Sequence, residues 1–376
     1  MQSVLNEIAR LRGGKSYTID YHNSNRYRLV VQEQDGSKTA YYFSTPIYNQ
    51  KDGKLLDVKF RRNGNTIGAV GSNTNITVSQ NIVMENEEVS CVIELKQKVE
   101  FVSTQKLRCG KHTIWPTTNG VAMKCDVRGD EKLSFLLEAG QPVLKVRSNS
   151  KYFALMRERF RPYVVFSCLA SMDATGNVIA PAKLEYQKIT DKKYSITVSA
   201  TSPLARYLLW ECNLYENKLF QDTTVESGNP SSNNAFGSVG FIGNTSAYGE
   251  QWLYTRLDYS RMPEVMDKHI RKAILHIPKL NHSKAKICTY RVAARFCSFG
   301  SNWDNKIAST TFISDAYSNS GYQNIDLTSL LVDSRTGIIT KTEGLILKPQ
   351  IKGNGFSAIA TADSYLAPQI IEINFK

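Results

Sequence analysis

The chain has no long apolar run: nowhere do about 18 apolar residues follow one another, so no membrane-spanning helix is expected. Its first residues, MQSVLNEIARLRGG, carry no basic stretch leading into an apolar one. No secretory signal is recognisable, and synthesis in the cytoplasm is expected, with display on a virion or cell surface following assembly. Cysteine is scarce and scattered. The seven thiols, Cys91, Cys109, Cys125, Cys168, Cys212, Cys288 and Cys297, include no pair at the short spacing of a zinc knuckle or redox motif, which gives metal binding no support. Their odd number leaves at least one unpaired, and they read as buried apolar thiols in a reducing compartment.

Catalytic patterns are missing as well. His22, His112, His269, His276 and His282 form no HExxH or HxH spacing, and there is neither a Gly-x-Ser-x-Gly elbow nor a glycine-rich loop ending in Gly-Lys-Ser or Gly-Lys-Thr. Glycoside hydrolysis needs two carboxylates close in space, for which Asp258, Asp304 and Asp326 are the candidates. Each lies where a strand ends or a turn begins, so each reads as a cap on backbone donors. No cofactor and no bond chemistry are expected. Like charges never run to five in a row, and the net charge of +13 divides into +8 before Gly228 (31 Lys and Arg against 23 Asp and Glu) and +5 from it onward (16 against 11). Charge spread in this way attracts polyanions over long range but does not form the stripe or tail of a sequence-specific nucleic-acid binder.

What is present points to strands. With 376 residues the chain exceeds the size at which one core stops growing, so two domains are expected. Nineteen Tyr, fifteen Phe and many runs rich in Val, Ile and Thr suit pleated, half-buried surfaces. Val4, Leu5, Ile8 and Leu11 recur at helical spacing before Gly13-Gly14, which predicts one short amphipathic helix whose apolar stripe needs a partner, either its own domain or another subunit. From Tyr17 onward, alternating runs are punctuated by Asp35-Gly36, Asp52-Gly53 and Asn63-Gly64, the signature of hairpin turns. The polar loop GNPSSNNAFG over 228–237 suggests a domain boundary just before it. The expectation is an all-β protein of two β-sandwich domains, residues 1–220 and 221–376, preceded by the short helix.

Two sets of side chains are candidate ligand contacts. Arg157, Arg159 and Arg161 alternate in MRERFRP, so an extended segment would project three guanidinium groups on one face, about 6 to 7 Å apart, able to grip sulfate, uronate or phosphate. The competing reading is a solvated face with Glu158 opposite. Tyr248, Tyr317 and Tyr322 lie near loops and could stack on sugar rings. Trp252 and Trp303 read as buried in strands or at strand ends.

From Glu216 to Lys376 a series of cues occurs in order: NPSSNNAFGSVGFIG around Asn229, WLYTRLDYSRMP from Trp252, AILHIP from Ala273, SNWDN around Trp303, YQNIDLTSLL from Tyr322, EGLILK from Glu343 and APQIIEINF from Ala367. This stretch resembles the DNRLRE-domain family, a jelly-roll-like β-sandwich module of bacterial and archaeal surface proteins related to carbohydrate-binding modules. It departs from the family pattern at Ser334, Arg335 and Thr336, where a Trp usually precedes the glycine found here as Gly337. The resemblance implies a surface role; set beside the absent signal and the odd thiols, this points to a structural or binding protein of a surface or virion assembly, either a phage component such as a tail, fibre or head-decoration protein, or a protein exported by a signal-independent route or by a partner. Its expected partner is a glycan or another protein, in a homo-oligomer or larger assembly, with no specific nucleic acid. The alternatives are a carbohydrate-active enzyme carrying a C-terminal binding module and a polyanion-binding protein.

Overall fold

Antiparallel pairing between segments far apart in sequence organises the chain. The computed structural model describes residues 4–376 apart from 47, 52–53, 58–59, 70–71, 217–218, 283–285, 317–320 and 351–354. Strand makes up 54% of the chain and helix 4%, so the protein is all-β, built of antiparallel sheets. It divides into two units. One comprises Met1–Val58, Lys218–Ala235 and Gly240–Lys376; the other comprises Lys59–Asn217 and Phe236–Val239.

The break between Asn217 and Lys218 falls close to the boundary expected near residue 220, but residues 1–58 belong with the later residues, which corrects the expected division into 1–220 and 221–376. Strand Lys38–Phe43 pairs along its whole length with the last strand, Ile370–Phe375, from Lys38 opposite Phe375 to Phe43 opposite Ile370. The resulting sheet runs Thr18–Ile19, Arg28–Gln32, Lys38–Phe43, Ile370–Phe375, Ile270–Pro278 and Tyr322–Asp326. Turn residues mark where a chain reverses but not which distant edge accepts the strand, and this is why the first 58 residues read as belonging to their neighbours in sequence. A second, seven-stranded sheet holds Phe220–Glu226, Val239–Thr245, Gly249–Leu257, Ile287–Val292, Ser309–Ala316, Leu345–Pro349 and Gly355–Ala360.

Alternation along these strands sends every second side chain to one face. Val30, Ala40, Tyr42, Leu275, Ile371 and Ile373 of the first sheet share one core with Phe220, Ile242, Leu253, Ile287, Leu347 and Ile359 of the second, which makes the unit a β-sandwich. The other face of the six-stranded sheet presents Leu29, Val31, Tyr41, Phe43 and Ile370, and Ile8 of the helix Val4–Leu11 packs there. The helix therefore finds its partner within its own unit. The hairpin signals Asp35-Gly36 and Asn63-Gly64 sit in tight turns with Gly36 at φ 81° and Gly64 at φ 58°; Asp52-Gly53 lies outside the described residues.

The second unit also pairs two sheets, one of eight strands from Phe60–Asn63 to Ala182–Lys188 and one of nine centred on Arg161–Met172 and Tyr207–Leu214. Fully buried Trp210 joins them, its ring 4.6 Å from that of Phe166 in its own sheet and 4.9 Å from that of Phe135 in the facing one. Six of the seven cysteines are buried and Cys297 is exposed.

A charged clamp fixes the helix end to the sheet. Arg12 donates Nη1 and Nη2 to Glu33 Oε1 and Oε2 at 2.7 and 2.6 Å, and Thr39 Oγ1 donates to Glu33 at 2.5 Å. These bonds hold the Glu33 carboxyl below its ordinary range. Burial works against ionisation of Asp20, but Lys38 and Asn23 outweigh it and bring that carboxyl to about 2. Both groups are depressed on folding, so their stabilisation is complete above their unfolded values, near pH 4, and is lost as pH falls through the folded ones. Glu33→Gln is expected to cost about 2–3 kcal/mol at pH 7 and to shrink the acid-dependent part of the stability. Denaturant midpoints measured between pH 7 and pH 2 check this; a variant as stable as the parent at pH 7 would show that the clamp contributes nothing.

Candidate functional site

The outward face of the seven-stranded sheet carries a row of aromatic rings interleaved with lysines. Strand Gly249–Leu257 turns Leu253 inward to the sandwich core and Trp252 and Tyr254 outward. Its neighbour Leu345–Pro349 does the same with Leu347 inward and Ile346 outward; since Leu253 faces Leu347, the next step sets Trp252 opposite Lys348. Beyond it, Tyr290 pairs with Ile346 on one side and with Phe312 on the other.

The side chains meet in that order across the strands. Phe312 packs edge-on against Tyr290, with ring centres 5.6 Å apart. Lys348 Nζ lies 5.4 Å from the Tyr290 ring centre and 4.1 Å from that of Trp252. Trp252 and Trp303 are 4.8 Å apart, and Lys306 Nζ stands 4.3 Å over Trp303. Each ammonium is attracted by the negative faces of the rings it covers. Both are also held by hydrogen bonds, Lys306 to the Trp303 carbonyl at 3.0 Å and Lys348 to Ser309 Oγ at 2.9 Å. The Trp252 indole N–H donates to Glu250 at 2.8 Å.

Beneath the row lies a small core of its own, Val225, Tyr254, Val292, Phe296 and Ile346. The polar loop over 228–237 fixes Trp303. Asn233 Nδ2 donates to the carbonyls of Ser298 and Ser301 at 2.6 and 2.8 Å, and the Trp303 amide donates to the Pro230 carbonyl at 2.9 Å. From the sheet side, Tyr254 Oη donates to the Ile307 carbonyl at 2.6 Å. Further cationic groups flank this core: Arg256 lies 5.9 Å from the Phe296 ring centre, and burial together with nearby Arg295 lowers its pKa. Phe312 is 51% exposed, while Trp252, Trp303 and Tyr290 are each half-buried. Both tryptophans pack on this small core and remain partly accessible.

No family model and no curated protein matches this chain.

The candidates read from sequence fall elsewhere. Arg157, Arg159 and Arg161 do not share an extended face, because Glu158 pairs with Arg161 and Arg159-Phe160 form the turn of a hairpin. The turn lacks the Gly or Asn that usually announces one, so the alternation was misleading. Arg157 Nη1 instead pairs with Glu88 at 2.6 Å on the surface, and Arg159 stacks on Phe160 at 5.0 Å. Tyr248, expected near a loop and open to a sugar, is 1% exposed, and its carbonyl accepts from the Gly228 amide at 2.9 Å. Tyr317 lies outside the described residues. Tyr322 is half-buried against the helix-side core, with Arg10 5.1 Å over its ring and His276 at its edge.

Asp258 caps the turn that follows it through the Ser260 amide and hydroxyl, and Asp326 accepts from the Thr328 amide at 2.9 Å. Both are structural caps of the kind their positions suggest. His276 is buried between Asn324 at 2.9 Å and Glu372 at 3.1 Å. Among the described residues no three His, Cys, Asp or Glu side chains gather as a metal-ligand set. From sequence both tryptophans read as buried and not as site residues, and Tyr290, Phe312, Lys306 and Lys348 were missed; the structure leaves Trp252 and Trp303 half-buried. The outward alternation of Trp252-x-Tyr254 and Ile346-x-Lys348 was visible; which strands lie side by side was not.

A half-buried ring and a core ring should respond differently to truncation. Trp303→Ala is expected to cost less than about 2 kcal/mol, whereas Trp210→Ala should cost about 3–5 kcal/mol. Urea denaturation of the two variants checks this, and equal losses would place Trp303 in the core.

Proposed function

We propose that the chain is a binding protein without bond chemistry of its own, which takes an acidic glycan on the row formed by Phe312, Tyr290, Lys348, Trp252, Trp303 and Lys306. The row itself carries this reading. Sugar rings present apolar C–H faces that pack on indole and phenol rings, and successive rings spaced across neighbouring strands suit successive residues of an extended chain. Lysine ammonium groups set between the rings give charge-assisted hydrogen bonds to carboxylate or sulfate substituents. The net charge of +13 adds long-range attraction for the same class of ligand.

The resemblance of residues 216–376 to DNRLRE modules, which are related to carbohydrate-binding modules, supports the same ligand class. It also favours a place in a surface or virion assembly. Glu250 and Asp304 lie close to the tryptophans, so the preference for anions rests on where the two ammonium groups stand over the rings and not on a uniformly positive surface.

Glycan-array binding followed by calorimetry at about 50 mM and 500 mM salt tests the reading, since exposed charges are screened within about 8 Å at physiological ionic strength and less at the higher salt. An acidic glycan should bind more weakly at high salt. Trp252→Ala and Trp303→Ala should each weaken binding by at least about tenfold, or about 1.4 kcal/mol. Lys306→Met with Lys348→Met should remove most of the salt dependence. Binding that survives both tryptophan changes, or measurable release of reducing sugar by the parent protein, would contradict the proposal.

A further inference from the structure

We infer that one end of the second unit docks on an anionic lipid bilayer, through apolar side chains carried on three neighbouring segments. Leu144, Phe160 and Ile189 are each more than half exposed there. Single exposed apolar residues are ordinary on a protein surface, whereas a group of them at one end marks a contact.

Backbone pairing brings the three together. Strands Tyr152–Glu158 and Arg161–Met172 join through the turn Arg159-Phe160, with Glu158 opposite Arg161, so Phe160 stands at the apex of a hairpin. Leu144 precedes the edge strand Lys145–Ser148, and its amide donates to the Met156 carbonyl at 3.0 Å, one residue before Arg157. Ile189 opens the turn between Ala182–Lys188 and Lys193–Ala200, which Thr190 Oγ1 closes by accepting from the Lys192 and Lys193 amides at 3.2 and 3.0 Å. That turn reaches the hairpin in two steps. The Ala139 amide donates to the Lys192 carbonyl at 2.8 Å and the Gly140 amide to the Ser90 carbonyl at 3.0 Å, beside the turn whose Glu88 pairs with Arg157 at 2.6 Å.

Each apolar tip has a cation beside it in sequence: Leu144-Lys145, Arg159-Phe160-Arg161 and Lys188-Ile189. Over 144–145, 157–161 and 188–192 there are six Lys and Arg against two acids, Glu158 and Asp191. Glu88 and Asp191 take up Arg157 and Lys188 at 2.6 Å in each case, so the attraction rests on Lys145, Arg159, Arg161 and Lys192, all of them exposed. Glu87 and Glu158 offset part of it. This pattern matches a membrane interface, where apolar side chains enter the boundary between headgroups and acyl chains while long basic ones reach the phosphates around them. Tips on separate turns offer a folded partner neither a groove nor a flat face, but a fluid surface closes around each. The surplus of cations selects anionic lipid.

The test floats the full chain with vesicles of phosphatidylcholine alone or mixed with phosphatidylserine. The chain should bind the mixed vesicles and not the neutral ones, and more weakly as salt rises. Arg159→Gln with Arg161→Gln should reduce partitioning about thirtyfold, at about fivefold per charge. Phe160→Ala with Leu144→Ala should reduce it at least about tenfold. All four side chains are exposed, so melting temperatures without vesicles should match the parent. Phe160→Trp should bind, and brominated acyl chains should quench its emission beyond that of the parent, which reports insertion. Trp303→Ala should leave vesicle binding unchanged, which separates these tips from the aromatic row. No binding of the parent to mixed vesicles would overturn the inference in favour of a protein partner. Binding lost with the arginine pair but indifferent to the Phe160 and Leu144 pair would mean anion contact alone, and it would overturn the inference too, as would equal quenching of Phe160→Trp and the parent.

Discussion

The hydrogen-bonded seam between Lys38–Phe43 and Ile370–Phe375 joins the beginning of the chain to its end, and the first unit depends on it. Without it the strands Thr18–Ile19, Arg28–Gln32 and Lys38–Phe43 would have no path to Ile270–Pro278 and Tyr322–Asp326. Register matters as much as pairing. In the observed alignment Ala40 and Tyr42 point into the sandwich with Ile371 and Ile373, while Tyr41 and Phe43 point to the helix with Ile370. A slip by one residue would exchange the two sets and place the helix-side residues in the sandwich core.

Polar groups along the helix side of that seam are matched in a continuous chain. Arg12 bonds Glu33, Glu33 accepts from Thr39, and Asn374 donates to Thr39 at 3.0 Å and to the Lys38 carbonyl at 3.3 Å. Further along the same strand, Glu372 binds His276 and Lys272, and burial together with the Glu372 charge pushes the Tyr41 phenol well above its ordinary value. Charges this close to a core cost stability unless each is paired, and the pairing ties the helix end, the early strands and the last strand into one arrangement. On the opposite face of the same strands, Arg28 and Tyr42 both bond Glu264.

Much of this architecture was legible in local sequence. Alternation in RLVVQ and TAYYF, with Asp35-Gly36 between them, fixes the hairpin of Arg28–Gln32 and Lys38–Phe43. The helical spacing of Val4, Leu5, Ile8 and Leu11 likewise marks the helix. Partnership between distant strands was not legible, because Ile370–Phe375 carries the same alternating signature as many other strands, such as Asn81–Glu85 and Lys193–Ala200, and nothing in it names residue 38. The site residues followed the same rule. Trp252 and Trp303 were conspicuous by type, yet the rings and lysines beside them come from strands separated in sequence and meet only once the sheet order is known. The Arg157–Arg161 series failed for a local reason, a two-residue turn made of Arg159 and Phe160 where no turn residue stands.

The account of the first unit rests on the claim that residues 1–58 complete the unit formed by 218–235 and 240–376. Hydrogen–deuterium exchange of the full chain through increasing denaturant measures this directly. Amides of 38–43, 270–278 and 370–375 should lose protection together, as one cooperative unit with its own denaturant dependence. If 38–43 instead opened together with 75–85 and 132–139 while 370–375 stayed protected, the early strands would belong with the other unit and the account would fail.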